Sequence, residues 1–335
     1  MTETTITLPD FTEGTINLAS PRLGTETVRA SDDFFAAHSR MIQDSAPVFI
    51  DDKFDDNGKW MDGWESRRRR DGGHDWCLVR LGVAGHISGV DIDTSHFTGN
   101  FPPAASIEAC LSGSEPGDDA VWTEIVPAET LGADAHHFVA VSQPGPWNWL
   151  RLNIFPDGGV ARLRVYGNPH CDFSAVSNSD VIELSALKNG GRVVGYNNAH
   201  YGEVWALLSE GRGVNMGDGW ETRRRREPGN DWLIVALGAP GTVENIEVDT
   251  CHFKGNFPDR CSIQAALVEH GTDQSIITQS MFWLDLMGEQ KLSADHIHTF
   301  DTSQLQDLGP ISHIRLNIHP DGGVSRLRIN GKLAK

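Results

Sequence analysis

A chain of 335 residues, 39% hydrophobic and with a mean hydropathy of −0.33, has the make-up of a soluble globular protein long enough for two ordinary cores. No run of eighteen apolar residues exists, so no membrane partner is expected, and a net charge of −18 argues against nucleic acid unless basic charge is concentrated locally. Met1–Pro9 has neither the basic stretch nor the apolar core of a secretory signal, and five cysteines without a CxxC pair fit reduced thiols in a cytoplasmic protein.

With 35 glycines and 16 prolines the chain should be rich in tight turns and strands. In chain order, the first signal is a weak helical stretch over residues 33–43. Next comes Asp62-Gly-Trp-Glu-Ser-Arg-Arg-Arg-Arg70, then a strand at 76–81 with Cys77, Val79 and Leu81 on one face. Val90 and Ile92 alternate with Asp91 and Asp93, which predicts a strand with one wet face. It leads into the loop Asp93-Thr-Ser-His-Phe-Thr-Gly-Asn-Phe-Pro102. Leu152 and Ile154 alternate with Arg151 and Asn153, and Leu163 and Val165 with Arg162 and Arg164. Pro156-Asp-Gly-Gly159 between them predicts a hairpin.

The same series then recurs. Asp218–Arg226, Asp231-Trp232 and Asp249–Pro258 repeat their counterparts at an offset of 156, and Arg315–Val324 repeats Arg151–Val160 at an offset of 164. A fainter echo pairs Ser31–Phe35 with Asn197–Tyr201, and a second weak helical stretch spans 199–208. Units of this length are domains rather than solenoid repeats. The expected architecture is all-β: two tandem β-sandwich or jelly-roll domains from an internal duplication, at residues 1–172 and 173–335.

A residue kept in both copies has survived their divergence, which selects the candidates for chemistry. Glu65 and Glu221 are carboxylates suited to proton transfer, beside arginines that can hold an anion bidentately. A solvated strand with cross-strand ion pairs is the competing reading. Asp93 with His96, and Asp249 with His252, place a carboxylate where it can orient an imidazole. The competing reading is a capped loop whose histidine bonds to backbone. One His and one carboxylate per copy falls short of the usual zinc set, so no metal site or cofactor is assigned, although a divalent metal stays open. Arg151, Asn153, Arg162 and Arg164 would share one face of the hairpin, there to bind an anion or to pair with Asp91 and Asp93. GxSxG, Walker, Rossmann and HExxH patterns are absent, and no cysteine is shared by the two copies.

Asp-Gly-Trp-Glu-[Ser/Thr]-Arg-Arg, Asp-Thr-x-His-Phe-x-Gly-Asn-x-Pro and Arg-Leu-Asn-Ile-x-Pro-Asp-Gly-Gly, each present twice, resemble the allantoicase family. Ser31–Phe35, Gly58–Met61 and Gly322–Arg328 extend the resemblance over nearly the whole chain. It implies two jelly rolls of the galactose-binding-like kind in a cytoplasmic homo-oligomer. It also implies hydrolysis of the small molecule allantoate to ureidoglycolate and urea, a nitrogen-recovering step of purine catabolism. Cleavage at the tetrahedral carbon suits elimination followed by addition of water. Proton transfer would fall to Glu65, Asp93 and His96 or to Glu221, Asp249 and His252. Arg67 or Arg223 and Asn100 or Asn256 would bind substrate.

The copies differ at Phe155 and His319, at Ser95 and Cys251, and at 147–149 and 311–313. One copy, both, or their junction could therefore hold the site. A non-catalytic tandem module binding carbohydrate or another small ligand is the alternative reading, although its usual secretion signal and sugar-stacking aromatics are not what the repeat preserves. A duplicated relative that has lost activity is a third.

Overall fold

The alternation read at residues 76–81 runs on without a break to Asp93, giving a single strand of 19 residues, Asp75–Asp93. Its twin, Asp231–Asp249, is equally long. This computed structural model describes residues 7–117 and 119–334. The chain divides into two compact units, Met1–His170 and Cys171–Lys335.

In the first unit the long strand belongs to both layers of a sandwich. Its first half pairs with Glu26–Ala30 and with Trp147–Phe155, which continues through Ala104–Cys110 to Thr123–Thr130. Its second half pairs with His136–Ala140 and with Arg162–Pro169, which carries Ile16–Asn17 on its far side. Every pairing is antiparallel. The second unit repeats this order around Asp231–Asp249. The core follows from the period of two: Cys77, Val79, Ile87, Val90, Ile92, Ile107, Leu152, Ile154, Leu163 and Val165 have no exposed surface. Each large aliphatic side chain so buried stabilises the fold by roughly 1.5–3 kcal/mol. The all-β, duplicated sandwich expected from periodicity is therefore the observed fold.

Three local expectations fail. Trp147–Phe155 and Arg162–Pro169 do not pair with each other; each lies beside a different half of the long strand. The reason is in the turn. Gly158 takes a φ of +144°, and a Cβ there would stand 2.6 Å from the Pro102 nitrogen; at Gly159 it would stand 2.0 Å from the Phe97 ring. The Pro-Asp-Gly-Gly segment is thus packed against the 96–102 loop as a crossover between layers, not free to close a hairpin. Arg151 and Asn153 consequently share no face with Arg162 and Arg164.

Nor is the Asp91/Asp93 face wet. Both carboxylates are buried, Asp91 accepting from the His137 amide (3.1 Å) and bonded to the His136 ring (2.7 Å). Finally, the helical stretches shrink to 3₁₀ turns, His38–Ile42 and Val204–Leu208, while an α-helix forms at Asp273–Gln279. Only Ile276 of that helix is buried, so it leaves no apolar period to read.

Arg162 ties these pieces together. It has no exposed surface; Nε donates to Ser45 O (2.8 Å), Nη1 to Asp62 O (2.9 Å) and Ala161 O (2.7 Å), and Nη2 to Asp62 Oδ2 (2.8 Å). Arg326 does the same for Asp218, Gly211 and Ser325. Removing one partner of a buried ion pair strands the other, so Arg162→Ala and Arg326→Ala should each destabilise its own unit by about 3–5 kcal/mol. Denaturant unfolding followed by tryptophan fluorescence checks this; an unchanged midpoint in either variant contradicts it.

Candidate active site

Asp62-Gly-Trp-Glu65 is placed by Arg162 at its first residue and by a two-strand clamp at its last. Trp64–Glu65 pairs with Gly159–Val160, and on its other side the Glu65 amide donates to Ala36 O (3.1 Å). Trp64 is fully buried and its indole Nε1 donates to Asp32 O (2.8 Å). Glu65 Oε1 accepts from Asn100 Nδ2 at 2.6 Å. The second unit builds the same pair, with Asn256 Nδ2 donating to Glu221 and the Trp220 indole to Asn198 O (2.7 Å).

The 93–102 loop brings His96 to the same place, by a route different from the expected one. Asp93 Oδ1 accepts the Ser95 amide (2.7 Å) and is buried, so it caps the loop and does not orient the imidazole. Asp249 likewise takes the Cys251 amide (2.9 Å) and pairs with Arg212 (3.1 Å). His96 is set by its own backbone. Its φ is +70°, uncommon for a side chain with a Cβ, and its amide donates to Asp134 Oδ1 (2.7 Å). The ring Nε2 lies 3.2 Å from Pro47 O. A carbonyl only accepts, so Nε2 carries the proton and Nδ1 of the neutral ring is left with a lone pair. His252 repeats the φ of +70° and bonds Gly213 O (2.8 Å).

Glu65, His96, Asn100 and Thr98 line a recess of about 300 Å³ together with Phe35, Phe49, Gly58, Lys59 and Met61. A second recess, about 380 Å³, shares Phe35, Glu65 and Asn100 and reaches Arg68 and Asp157. Neither is lined by Arg67. That side chain is paired with Asp32 (2.6 Å) and lies over the Phe34 ring. In the second unit Arg223 is paired with Glu227 (3.0 Å). The other arginines of the first run divide: Arg69 holds Asp71 and Asp75 (2.7 and 2.6 Å), while Arg68 is exposed beside Asp157 (3.6 Å). Among the described residues, no group of three or more His, Cys, Asp or Glu side chains could hold a metal ion.

The two copies part company at the recess wall. Between the 3₁₀ turn and the Asp-Gly-Trp-Glu block the first unit has residues 43–61, and the second only 209–217. The additional chain makes a flap carrying a small hairpin, Phe54–Asp55 with Gly58–Lys59. It supplies Phe49 and Lys59, whose aligned position in the second copy is Asn215. The recess residues that sequence reasoning missed, Phe35, Phe49, Lys59 and Thr98, are those the second copy changed or lacks.

Against known proteins, the profile of the "Allantoicase repeat" matches residues 16–170 and 182–334. The chain belongs to the allantoicase family. A Burkholderia pseudomallei protein named "Probable allantoicase 2" is 60% identical over 327 residues, 97% of each chain. A Ralstonia nicotianae protein named "Probable allantoicase" is 57% identical over 326 residues, again 97% of each. The crystal structure of allantoicase from Saccharomyces cerevisiae superposes with a TM-score of 0.80 at 34% identity, over 95% of this chain and 93% of that one. The allantoicase repeat thus coincides with the unit that carries one glutamate–asparagine pair.

Burial pushes the Glu65 carboxyl above its ordinary value; the Asn100 bond opposes this and nearby Asp55 adds to it. A carboxyl raised in the folded state binds more protons than in the unfolded chain between the ordinary and the raised value. Stability from this group is therefore lost as pH rises through that window. Glu65→Gln should remove that loss, so its unfolding midpoint should gain on wild type as pH rises above the ordinary carboxylate range. Parallel pH dependences of the two midpoints would contradict the assignment.

Proposed function

We propose that the chain hydrolyses allantoate to ureidoglycolate and urea in the recess of its first unit, with Glu65 moving the protons. The observation that carries this is the half-buried Glu65–Asn100 pair, which lines with His96 a single recess of substrate size. Allantoate has two ureido groups and a carboxylate on one carbon. Protonated Glu65 donates to one ureido nitrogen as the carbon–nitrogen bond breaks, and its electron pair leaves with urea. The lone pair of the other ureido nitrogen forms the carbon–nitrogen double bond. Water then adds to that carbon, and the Glu65 carboxylate takes its proton, returning to the starting state.

The raised proton affinity of Glu65 suits the first half of this cycle, and substrate that displaces water from the recess pushes it further the same way. Asn100 points the carboxyl, and His96 accepts a hydrogen bond from a ureido N–H or from the entering water at Nδ1. Asp93 acts through the loop it caps. Glu221, His252 and Asn256 keep the repeat's scaffold in the second unit, where the flap is missing. Five free thiols accord with a cytoplasmic setting, and self-association is part of the same reading.

Loss of a positioned acid–base group costs roughly 10²–10⁴-fold in rate, so Glu65→Gln should lower kcat for urea release by that much. Glu221→Gln should stay near wild type, and His96→Ala should lose more activity than His252→Ala. Full activity in the Glu65 variant, or equal losses in Glu65→Gln and Glu221→Gln, would overturn the reading.

A further inference from the structure

Resting on the first-unit reading, we infer that Lys59, on the second strand of the flap's hairpin, is the anchor for the substrate's carboxylate and the residue that selects a carboxylate-bearing ureido compound. A ligand that places an ionised carboxylate next to the carboxyl of Glu65 needs a cation on the opposite wall. The arginine run does not supply it to this recess. Arg67 is held by Asp32, Arg69 by Asp71 and Asp75, and Arg68 opens on the neighbouring cavity. Of the side chains lining the recess, Lys59 alone is a permanent cation.

Its setting is that of a cation kept available. Among the described residues Lys59 forms no ion pair, although Asp55 and Asp56 are close in sequence. Its Nζ stands 4.3 Å from the centre of the Phe49 ring, an attraction that aims the ammonium without neutralising it. The flap that carries it is itself fixed at several points. The Val48 amide donates to Asp62 Oδ2 (2.9 Å) and Asn57 Nδ2 to Phe34 O (2.8 Å). The Trp60 ring has Lys53 Nζ 3.6 Å and Arg40 5.3 Å from its centre. Asp62, which holds the flap's root, is also the partner of buried Arg162 and the start of the segment bearing Glu65. Anchor and acid thus hang from one residue, which sets their separation.

The second copy supplies the contrast. It keeps the glutamate–asparagine pair, but its aligned residue is Asn215 and it has no counterpart of Phe49. The cation that the second copy does carry at a recess-aligned position, Lys254 in place of Thr98, stands on the 249–258 loop and not on a flap.

Steady-state kinetics on allantoate test this. Lys59→Met removes the charge from an exposed side chain, so folding is spared. Loss of one charge-assisted contact should raise KM roughly tenfold to a hundredfold with little change in kcat, and Lys59→Arg should recover most of it. N-carbamoylglycinate, which has the carboxylate and one ureido group, should lose inhibitory strength in step; uncharged methylenediurea should inhibit wild type and Lys59→Met alike. An unchanged KM in Lys59→Met, or equal weakening of both inhibitors, overturns the inference while leaving Glu65 in place. Turnover that survives Glu65→Gln sinks the underlying reading instead.

Discussion

A guanidinium with no exposed surface is the constraint on which the first unit's site depends. Arg162 is costly to bury unless every donor is matched, and it is matched by Asp62, Ser45 and its own strand's backbone. Satisfying it draws three separate stretches of chain together: the strand after the crossover turn, the root of the flap and the head of the Asp-Gly-Trp-Glu block. Glu65 follows three residues on, clamped between Ala36 and Gly159. Once the arginine is satisfied, the acid has little freedom left.

The duplication determines what the amino-acid pattern could reveal. Strand alternation is a local property, so the sandwich was readable from Cys77, Val79, Val90, Ile92, Leu152 and Leu163. The glutamate, the asparagine and the histidine were readable because both copies kept them. What escaped was decided by contacts distant in sequence. Asp93 and His96 look like an acid–imidazole dyad at their spacing, yet Asp93 turns back to the Ser95 amide and His96 reaches across to Pro47. Arg67 looks like an anion holder, yet Asp32, thirty-five residues earlier, already occupies it. The hairpin failed for a related reason: its two glycines serve a close packing against Phe97 and Pro102 that no alternation encodes.

A filter that keeps only shared residues also hides whatever one copy gained. Phe49 and Lys59 sit on chain that the second unit lacks or has altered, so comparing the copies discards them, although they complete the wall around Glu65. The same comparison explains why the second unit retains so much. Trp220, the Glu221–Asn256 pair, His252 at its φ of +70° and the Arg326–Asp218 pair all belong to the way the sandwich closes on its own loops. Among the described residues the flap, with its hairpin Phe54–Asp55 and Gly58–Lys59, belongs to the first unit and has no counterpart in the second.

The central claim is the location of the reaction, and a crystal of the Glu65→Gln variant soaked with allantoate addresses it most directly. The account predicts substrate density against residue 65, Asn100 and His96 of the first unit, with the carboxylate toward Lys59. Density seated instead against Glu221 and Asn256 would contradict it.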